Sequence, residues 1–256
     1  MSFNYNNIFG LPERTLLNKK ITKSFFLKNF ELTAAEKKLL NDIPNINWFA
    51  SIKQSSVNVS PVKTSAYSYE EIQIIIITLS DNITENLANK YIQFVQKYIP
   101  YHSIVIAEDD NYFMINVSEK RINLADTNKR IIERDLSTQL LSKLYKNESI
   151  NTFFQVINFS ALNKNNLETL YKSYIGAIVQ LKTATVTGKF NLRGSNRTAE
   201  DLLTLEKIEN LEKEIITLSN QIKKETQLNQ KVSLNIEIQD KRNQIHTLKT
   251  TLSNGH

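Results

Sequence analysis

Residues 70–79 read Glu-Glu-Ile-Gln-Ile-Ile-Ile-Ile-Thr-Leu and contain four consecutive isoleucines. Residues branched at Cβ lose side-chain freedom in a helix, so consecutive isoleucines favour a strand. A strand without polar alternation is typical of one that is covered on both faces. The pattern therefore predicts the central strand of an α/β domain.

The residues that follow predict a crossover and then a hairpin. Asp81 or Asn82 is suited to cap a helix. Apolar residues then recur at helical spacing: Ile83, Leu87, Tyr91, Phe94 and Val95. Residues 102–107 predict a second strand, which a right-handed crossover would place parallel to the first. A polar turn at 108–111 then leads into an antiparallel strand at 112–117.

Elsewhere the pattern predicts further elements. A helix is expected from Pro12, with Leu16 and Leu17 facing inward. Thr33 and Glu36 have the spacing of a capping box for the next helix. Residues 46–52 predict a strand or a docking segment, and 54–69 a loop with an edge strand. Residues 119–128 predict a loop, 129–145 a helix, 153–159 a strand, and 167–181 an amphipathic helix.

The C-terminal part carries a narrow apolar stripe among charged and amide residues. The first half has the gaps of three and four of a heptad seam: Leu205, Ile208, Leu211, Ile215, Leu218 and Ile222. The stripe fades at Glu225 and Asn229. It resumes in another phase: Val232, Leu234, Ile236, Ile238, Ile245, Leu248 and Leu252. Residues 198–254 contain no Gly or Pro, so we expect one long helix or a hairpin of two.

The fold class that follows is α/β, with a mixed β-sheet flanked by helices and a long C-terminal coiled-coil-like helical arm. We expect a globular domain at 1–182, a linker at 183–199 and the arm at 200–256. A narrow stripe on a charged helix buries little by itself, so a protein partner or a second copy of the chain is expected to cover it. The alternative is a helix that lies along its own domain. The predicted partner-binding residues are Leu205, Ile208, Leu211, Ile215, Leu218, Ile222, Val232, Ile238, Ile245 and Leu248.

Composition and charge indicate which cellular location and which kinds of partner are expected. The chain has 256 residues and a formal net charge of +6, with basic residues spread along it. Such a charge is typical of an ordinary soluble surface, and the alternative is a surface that approaches nucleic acid through the complex. The chain has no cysteine, which excludes disulfides and fits a reducing cytoplasm. No apolar run approaches the roughly 20 residues that span a bilayer, and no signal segment is recognised, so a cytoplasmic location without membrane contact is expected.

Residues with catalytic potential are sparse, and no cofactor is expected. His102, His246 and His256 are too scattered along the chain for a metal site, and His102 at a strand entry favours a structural role. With five glycines there is no phosphate-binding loop, and no Gly-x-Ser-x-Gly elbow occurs.

One acidic constellation is compatible with chemistry. Glu108, Asp109 and Asp110 precede a strand that ends at Glu119-Lys120-Arg121. Carboxylates beside a base are what a magnesium-dependent nuclease requires. The intervening strand would separate the two groups by roughly 20 Å, so a solvated turn is favoured. A non-enzymatic role is preferred, and catalysis stays open.

Several short segments share a pattern with one bacterial family: Gly10-Leu11-Pro12, Glu71-Ile72-Gln73-Ile74, Ile99-Pro100-Tyr101-His102, Val117-Ser118-Glu119-Lys120-Arg121 and the tail at 223–232. That tail is similar to a Lys-Glu-x-Gln-Phe-Asn-x-Lys-Val pattern in which Leu228 replaces the aromatic residue. Over nearly its whole length the chain thus resembles the bacterial domain of unknown function 4391 family. The resemblance implies a gene often found beside helicase and DNA methyltransferase genes in restriction-like or phage-defence clusters, and it supplies no established active site.

Two functions are therefore expected as alternatives. In the first, the chain is a non-catalytic accessory or scaffold subunit of an anti-phage defence or restriction-like complex. Its arm would dock onto a partner such as a helicase or DNA methyltransferase. In the second, it is a metal-dependent nuclease or DNA-binding effector subunit of such a system.

Overall fold

A computed structural model describes residues 3–80 and 82–254, without the side chains of residues 127 and 128. The strands are β1 Leu16–Lys20, β2 Asn45–Lys53, β3 Val62–Lys63, β4 Ser68–Tyr69, β5 Glu71–Thr78, β6 His102–Glu108, β7 Tyr112–Asn123, β8 Asp126–Ser137 and β9 Leu141–Ser142. The helices are α1 Tyr5–Phe9, α2 Lys23–Asn29, α3 Ala34–Asp42, α4 Gln54–Val57, α5 Glu85–Tyr98, α6 Glu148–Val156, α7 Leu167–Thr187, α8 Ser195–Lys224 and α9 Leu228–Asn254.

The chain divides into two compact units, Met1–Ile178 and Val179–His256. The first unit holds a seven-stranded mixed sheet in the order β1-β2-β5-β6-β7-β8, with β9 also paired to β7. The second holds the end of α7 together with α8 and α9. The predicted fold class, a mixed sheet with helices and a long helical C-terminal part, is confirmed.

The isoleucine strand β5 lies inside the sheet, between β2 and β6. Its pairing with β6 is parallel, and β6 pairs with β7 in an antiparallel hairpin, as the sequence predicts. Alternate side chains of a strand point to opposite faces. Ile75 and Ile77 accordingly belong to a core shared with α5, whose Ile92 and Val95 are fully buried. Because both faces are covered, the strand needs no polar alternation.

The opposite face of the sheet is covered by aromatic side chains. The ring of Phe9 on α1 lies 6.4 Å from Phe49 of β2 and 6.2 Å from Tyr174 of α7. The Tyr171 hydroxyl donates to a backbone carbonyl and accepts from the Ser118 amide at 3.0 Å. These contacts fix α7 across the middle of the sheet.

The caps agree only in part with the predictions. Thr33 and Glu36 form the predicted capping box, with the Glu36 carboxylate accepting from the Thr33 amide at 2.9 Å. The helix after β5 begins later than expected, because Thr84 caps α5 while Asn82 occupies the left-handed region at φ 71°. The other candidate cap, Asp81, lies outside the described residues.

Four predicted elements are wrong. Pro12 starts a short 3₁₀ turn, and Leu16 and Leu17 begin strand β1. The helix predicted over 129–145 and the preceding loop are largely the β7–β8 ladder, with β9 after it. The strand predicted at 153–159 is mostly helix α6, which Asn147 caps through the amide of Ile150.

The second unit contains a hairpin of two long helices, which is one of the two forms that the sequence allowed. α8 and α9 contact each other along their lengths, and Glu225 to Gln227 form the connection between them. The Glu225 carboxylate accepts from the amides of Thr226 and Gln227, which replaces the missing Gly as a terminator of α8. Residues 188–194 are the non-helical segment between α7 and α8.

Candidate functional site

The acidic turn is held by backbone donors. Asp109 is 3% exposed, and its carboxylate accepts from the amides of Ile83, Asn111 and Tyr112 at 2.7–3.0 Å. Burial opposes these hydrogen bonds, but the net effect lowers the pKa of Asp109. Both carboxylate oxygens therefore tie the β6–β7 turn to the loop before α5.

The neighbouring Glu108 is paired with a cation and a phenol. Its carboxylate accepts from the Tyr5 hydroxyl at 2.6 Å and lies 2.7 Å from the Lys143 ammonium. Burial, together with the Glu108 charge, raises the pKa of Tyr5. This cluster anchors α1 to the end of β6.

Glu119 lies on β7, opposite β8, where its carboxylate pairs with the Arg134 guanidinium at 2.8 Å. The structure therefore gives Glu108, Asp109 and Glu119 three separate sets of partners. Within residues 3–80 and 82–254 it forms no cluster of three or more His, Cys, Asp or Glu side chains that could hold a metal ion.

The described histidines lie far apart in the chain and in different surroundings. His102 is 1% exposed, stacks on Tyr69 with ring centroids 4.0 Å apart, and packs edge-on against Tyr171. Burial, and the nearby charge of Lys120, lower its pKa to about 3. His246 is exposed on α9, and His256 lies outside the described residues.

A buried lysine connects β7 to the end of α5. The Lys120 ammonium donates to the carbonyl of Ile99 at 2.7 Å and to that of Tyr101 at 3.0 Å. Burial lowers its pKa to about 7, against the opposing charge of Asp135. The loop between α5 and β6 thus has two of its backbone carbonyls satisfied by one side chain. The sequence pattern does not single out this lysine as buried.

The structure divides the ten predicted partner-binding residues by exposure. Five are buried within the folded chain: Leu205, Ile208, Leu218, Ile238 and Ile245. Four are half-buried: Leu211, Ile215, Ile222 and Leu248. Val232 is 50% exposed. Most of the seam positions are therefore at least half-buried within the folded chain.

Polar contacts along the hairpin fix the register of its two helices. The Lys241 ammonium lies 2.7 Å from the Glu214 carboxylate, which joins the middle of α9 to α8. A shallow cleft of about 500 Å³ lies between the helices, and its lining includes Leu211 and Leu248. These two predicted residues are thus brought together, facing a small open groove.

A buried ion-pair cluster, the arginine clasp, closes the open end of the hairpin. Asp201 is 1% exposed, and both of its oxygens accept from Arg193 at 2.8–3.0 Å. Arg197 approaches the same carboxylate at 3.0 Å. Arg193 also donates to the carbonyl of Leu252, and Arg197 to that of Thr251, in the last turn of α9. Sequence pattern alone does not reveal this cluster.

A second apolar face, the outer stripe, is left exposed on α9. It consists of Leu228, Val232 and Ile236, which are 74%, 50% and 59% exposed. Successive helical residues turn by about 100°, so Ile236 lies on the side of α9 opposite the buried Ile245. The i, i+4, i+8 spacing is the sequence signal for this face, but the heptad pattern draws attention to the buried seam instead.

None of the described helices combines the length and the apolar character needed to cross a membrane. Neither the curated proteins nor the solved structures give a match to this chain. A family model described as Domain of unknown function (DUF4391) matches residues 9–245, which is most of the sequence. The chain therefore belongs to the DUF4391 family.

Proposed function

We propose that this protein is a non-catalytic accessory or scaffold subunit that acts in the cytoplasm through its helical hairpin. The complex would be a bacterial anti-phage defence or restriction-like assembly. The docking partner would be a helicase or a DNA methyltransferase, as the family resemblance implies. The observation that carries the proposal is the outer stripe of Leu228, Val232 and Ile236, which the hairpin leaves uncovered.

The stripe supports docking because its exposure is not required by the hairpin. The seam of α8 and α9 already has its own buried residues, including Leu205, Ile238 and Ile245. Single exposed apolar residues are ordinary, whereas a contiguous group on one helix face marks an interaction site more often. Fully burying each such side chain is worth about 1.5–3 kcal/mol, so three of them can make a useful contribution to a larger interface.

The arginine clasp adds to the same proposal. It joins the start of α8 to the last turn of α9 through Arg193 and Arg197. A closed hairpin presents the outer stripe on a preformed surface, and preorganised surfaces lose less conformational entropy on binding.

The test is co-purification of the tagged chain expressed with its neighbouring genes. Changing Leu228, Val232 and Ile236 together to serine is expected to abolish recovery of the helicase or methyltransferase. Leu203→Ser is the matched control, since Leu203 is 53% exposed on α8 near the other end of the hairpin. Deleting residues 202–256 should give the same loss as the triple variant. If the helicase or methyltransferase is still recovered with the triple variant, docking through this stripe is wrong.

The same preparations test the nuclease alternative. Alanine at Asp109, Asp110 and Glu119 would abolish magnesium-dependent cleavage of DNA if the acidic residues were catalytic. On the docking proposal, the purified chain does not cleave DNA, and the triple alanine variant changes neither this result nor the recovery of the partner. Magnesium-dependent cleavage that disappears with these alanines would refute the non-catalytic assignment.

A further inference from the structure

An open cavity of about 470 Å³, the α1–α6 cavity, lies on the surface of the first unit. Its lining includes Ile8 of α1, Phe154 and Gln155 of α6, and Lys146, which stands two residues before α6. Small-molecule sites have volumes of roughly 300–1,000 Å³ and combine apolar walls with a few polar groups. The cavity has both properties, and the proposed docking through the hairpin uses none of its residues.

One wall of the cavity is fixed by hydrogen bonds within the fold. The side-chain amide of Asn158 donates to the backbone carbonyls of Asn7 and Ile8 at 3.3 and 3.2 Å. The side-chain carbonyl of Asn158 accepts from the Ser160 amide at 3.2 Å and from the Ser160 hydroxyl at 2.7 Å. Asn158 thus ties the last turn of α1 to the segment after α6. A cavity that is formed in advance loses less conformational entropy when a ligand binds.

Lys146 gives the cavity a positive charge. Its ammonium lies 5.3 Å from the ring centroid of Phe154 and 5.6 Å from that of Phe3, and it forms no ion pair within the described part of the chain. The described residues that line the cavity include no Asp or Glu. Glu148, the nearest acid in sequence, belongs to the first turn of α6 and is not part of the lining. The cavity therefore favours a ligand that carries an anionic group.

The aromatic wall suits a planar ring. Phe154 is half-buried, and the fully buried Phe113 stacks against it with ring centroids 6.1 Å apart. Stacking of a base on an aromatic side chain is worth more than an exposed cation–π contact. A planar ligand can therefore replace the Lys146 ammonium above Phe154. The flexible stem of the lysine lets the ammonium turn towards an anionic group of the same ligand.

Two side-chain amides of the lining are available for hydrogen bonds. Those of Asn7 and Gln155 are exposed and have no partner among the residues that the structure describes. An amide offers donors and an acceptor, which is what the polar edge of a nucleobase requires. A fatty acid would leave these amides unused, and a neutral sugar would leave the lysine without a counter-charge. A base that carries a phosphate uses the aromatic wall, the amides and the cation together.

We propose that the α1–α6 cavity binds a nucleotide. The base stacks on Phe154, Asn7 and Gln155 hydrogen-bond to its edge, and Lys146 pairs with the phosphate. A free nucleotide and the end of a single strand present the same groups, so the chemistry of recognition is common to both. The site belongs to the first unit and does not depend on the outer stripe.

Isothermal titration calorimetry with the full-length chain tests the site. The probes are AMP, GMP, CMP and UMP, the four corresponding nucleosides, and inorganic phosphate. At least one nucleotide is expected to bind about tenfold more tightly than its nucleoside and than inorganic phosphate, because the nucleotide alone engages both the aromatic wall and the cation.

Two variants separate the contributions of charge and stacking. Lys146→Gln should weaken nucleotide binding about tenfold and change nucleoside binding by less than about twofold. Phe154→Leu keeps an apolar side chain in place and should weaken nucleotide and nucleoside alike, by about tenfold. Lys90→Gln, at an exposed position of α5, makes the same change in net charge and is the control. It should change nucleotide affinity by less than about twofold.

Several outcomes would overturn the inference. Dissociation constants weaker than about 1 mM for all four nucleotides would remove the site. Equal affinity for inorganic phosphate and for the nucleotides would leave an anion site without base recognition. Nucleotide binding that neither Lys146→Gln nor Phe154→Leu weakens would place the ligand elsewhere. A single-stranded oligonucleotide that binds more tightly than every mononucleotide, and is weakened by Lys146→Gln, would support the site and identify a strand end as its source.

Discussion

Replacing Asp201 with alanine should open the hairpin from its free end. This carboxylate accepts from Arg193 through both oxygens and lies 3.0 Å from the Nε atom of Arg197. The same two guanidinium groups reach the carbonyls of Leu252 and Thr251 on α9. Those carbonyls belong to the last helical turn, where the helix dipole is negative. Asp201 therefore holds both arginines in position for α9.

The expected size of the effect follows from burial. The side chains of Arg193 and Asp201 are 5% and 1% exposed, so removal of the carboxylate leaves a buried cation without its counter-charge. Breaking such a pair typically costs 3–5 kcal/mol. Arg197 is 30% exposed and can be solvated, which favours the lower end, about 3 kcal/mol. At about 1.4 kcal/mol per factor of ten, opening of the hairpin should become about a hundredfold more frequent.

Native-state hydrogen exchange is the assay, because it measures local opening separately from global unfolding. In Asp201→Ala, amides of α9 should exchange about a hundredfold faster, whereas amides of β5 and β6 should keep their rates. A neutral replacement of the cluster, Arg193→Met with Arg197→Met and Asp201→Leu, should recover most of the loss. An acceleration below about threefold in α9 would show that the clasp does not hold the hairpin together.

Further predictions concern the first unit. Folding lowers the pKa of Lys120 from 10.5 to about 7. Between these pH values the unfolded chain holds a proton on Lys120 that the folded chain has lost. The free energy of unfolding should therefore rise with pH over this range, by up to about 1.4 kcal/mol per pH unit. Urea unfolding at several pH values should show that Lys120→Met removes this dependence of stability on pH. If the stability of the variant rises with pH as steeply as that of the original chain, the prediction is wrong. The pKa of His102 is lowered to about 3 from 6.5, so stability should fall as the pH decreases from 6.5 towards 3, and His102→Phe should flatten that fall. Gly10→Ala should cost more than about 1 kcal/mol, because φ is +54° and a Cβ would overlap the Asn158 amide. Gly188→Ala, at φ +80° with open space around it, should cost less stability. If the two variants lose the same free energy of unfolding, the overlap with Asn158 does not contribute.

The parts of the fold that sequence predicts are those where one local signal agrees with packing. The isoleucines of β5 favour a strand both intrinsically and because helices and aromatic residues cover its two faces. Thr33 and Glu36 form their capping box from contacts within one turn, so no distant residue is needed. The crossover to β6 follows from strand, helix and strand in a short span.

Two elements fail because periodicity is not unique over short distances. Ile132, Leu136 and Leu144 have helical spacing, but Leu136 is buried while Ile132 and Leu144 are 37% and 86% exposed. The ladder with β7 decides the conformation there. In α6 the reverse holds: β-prone residues are helical because Asn147 caps the segment and Phe153 is fully buried.

In the helical hairpin, too, the local sequence pattern identifies an element without showing what it contacts. Seam residues such as Leu205 and Ile245 are recognisable from the heptad pattern, but the pattern does not say which surface covers them. The loss of phase near Glu225 marks the turn of the hairpin, although it contains no Gly or Pro. Arg193 and Asp201 meet Leu252 only through the antiparallel return of α9, so no local pattern reveals the clasp.

The position of β8 at the end of the strand order has a consequence for self-assembly. An edge strand offers its backbone as a template for another chain, and β-branched pairs such as Ile131-Ile132 promote that growth. Here Lys129, Arg130 and Glu133 flank the pair, so an approaching identical strand must bury charge. The ladder therefore carries its own protection against fibril formation, and neutralising these flanking residues would expose a strand prone to amyloid-like stacking.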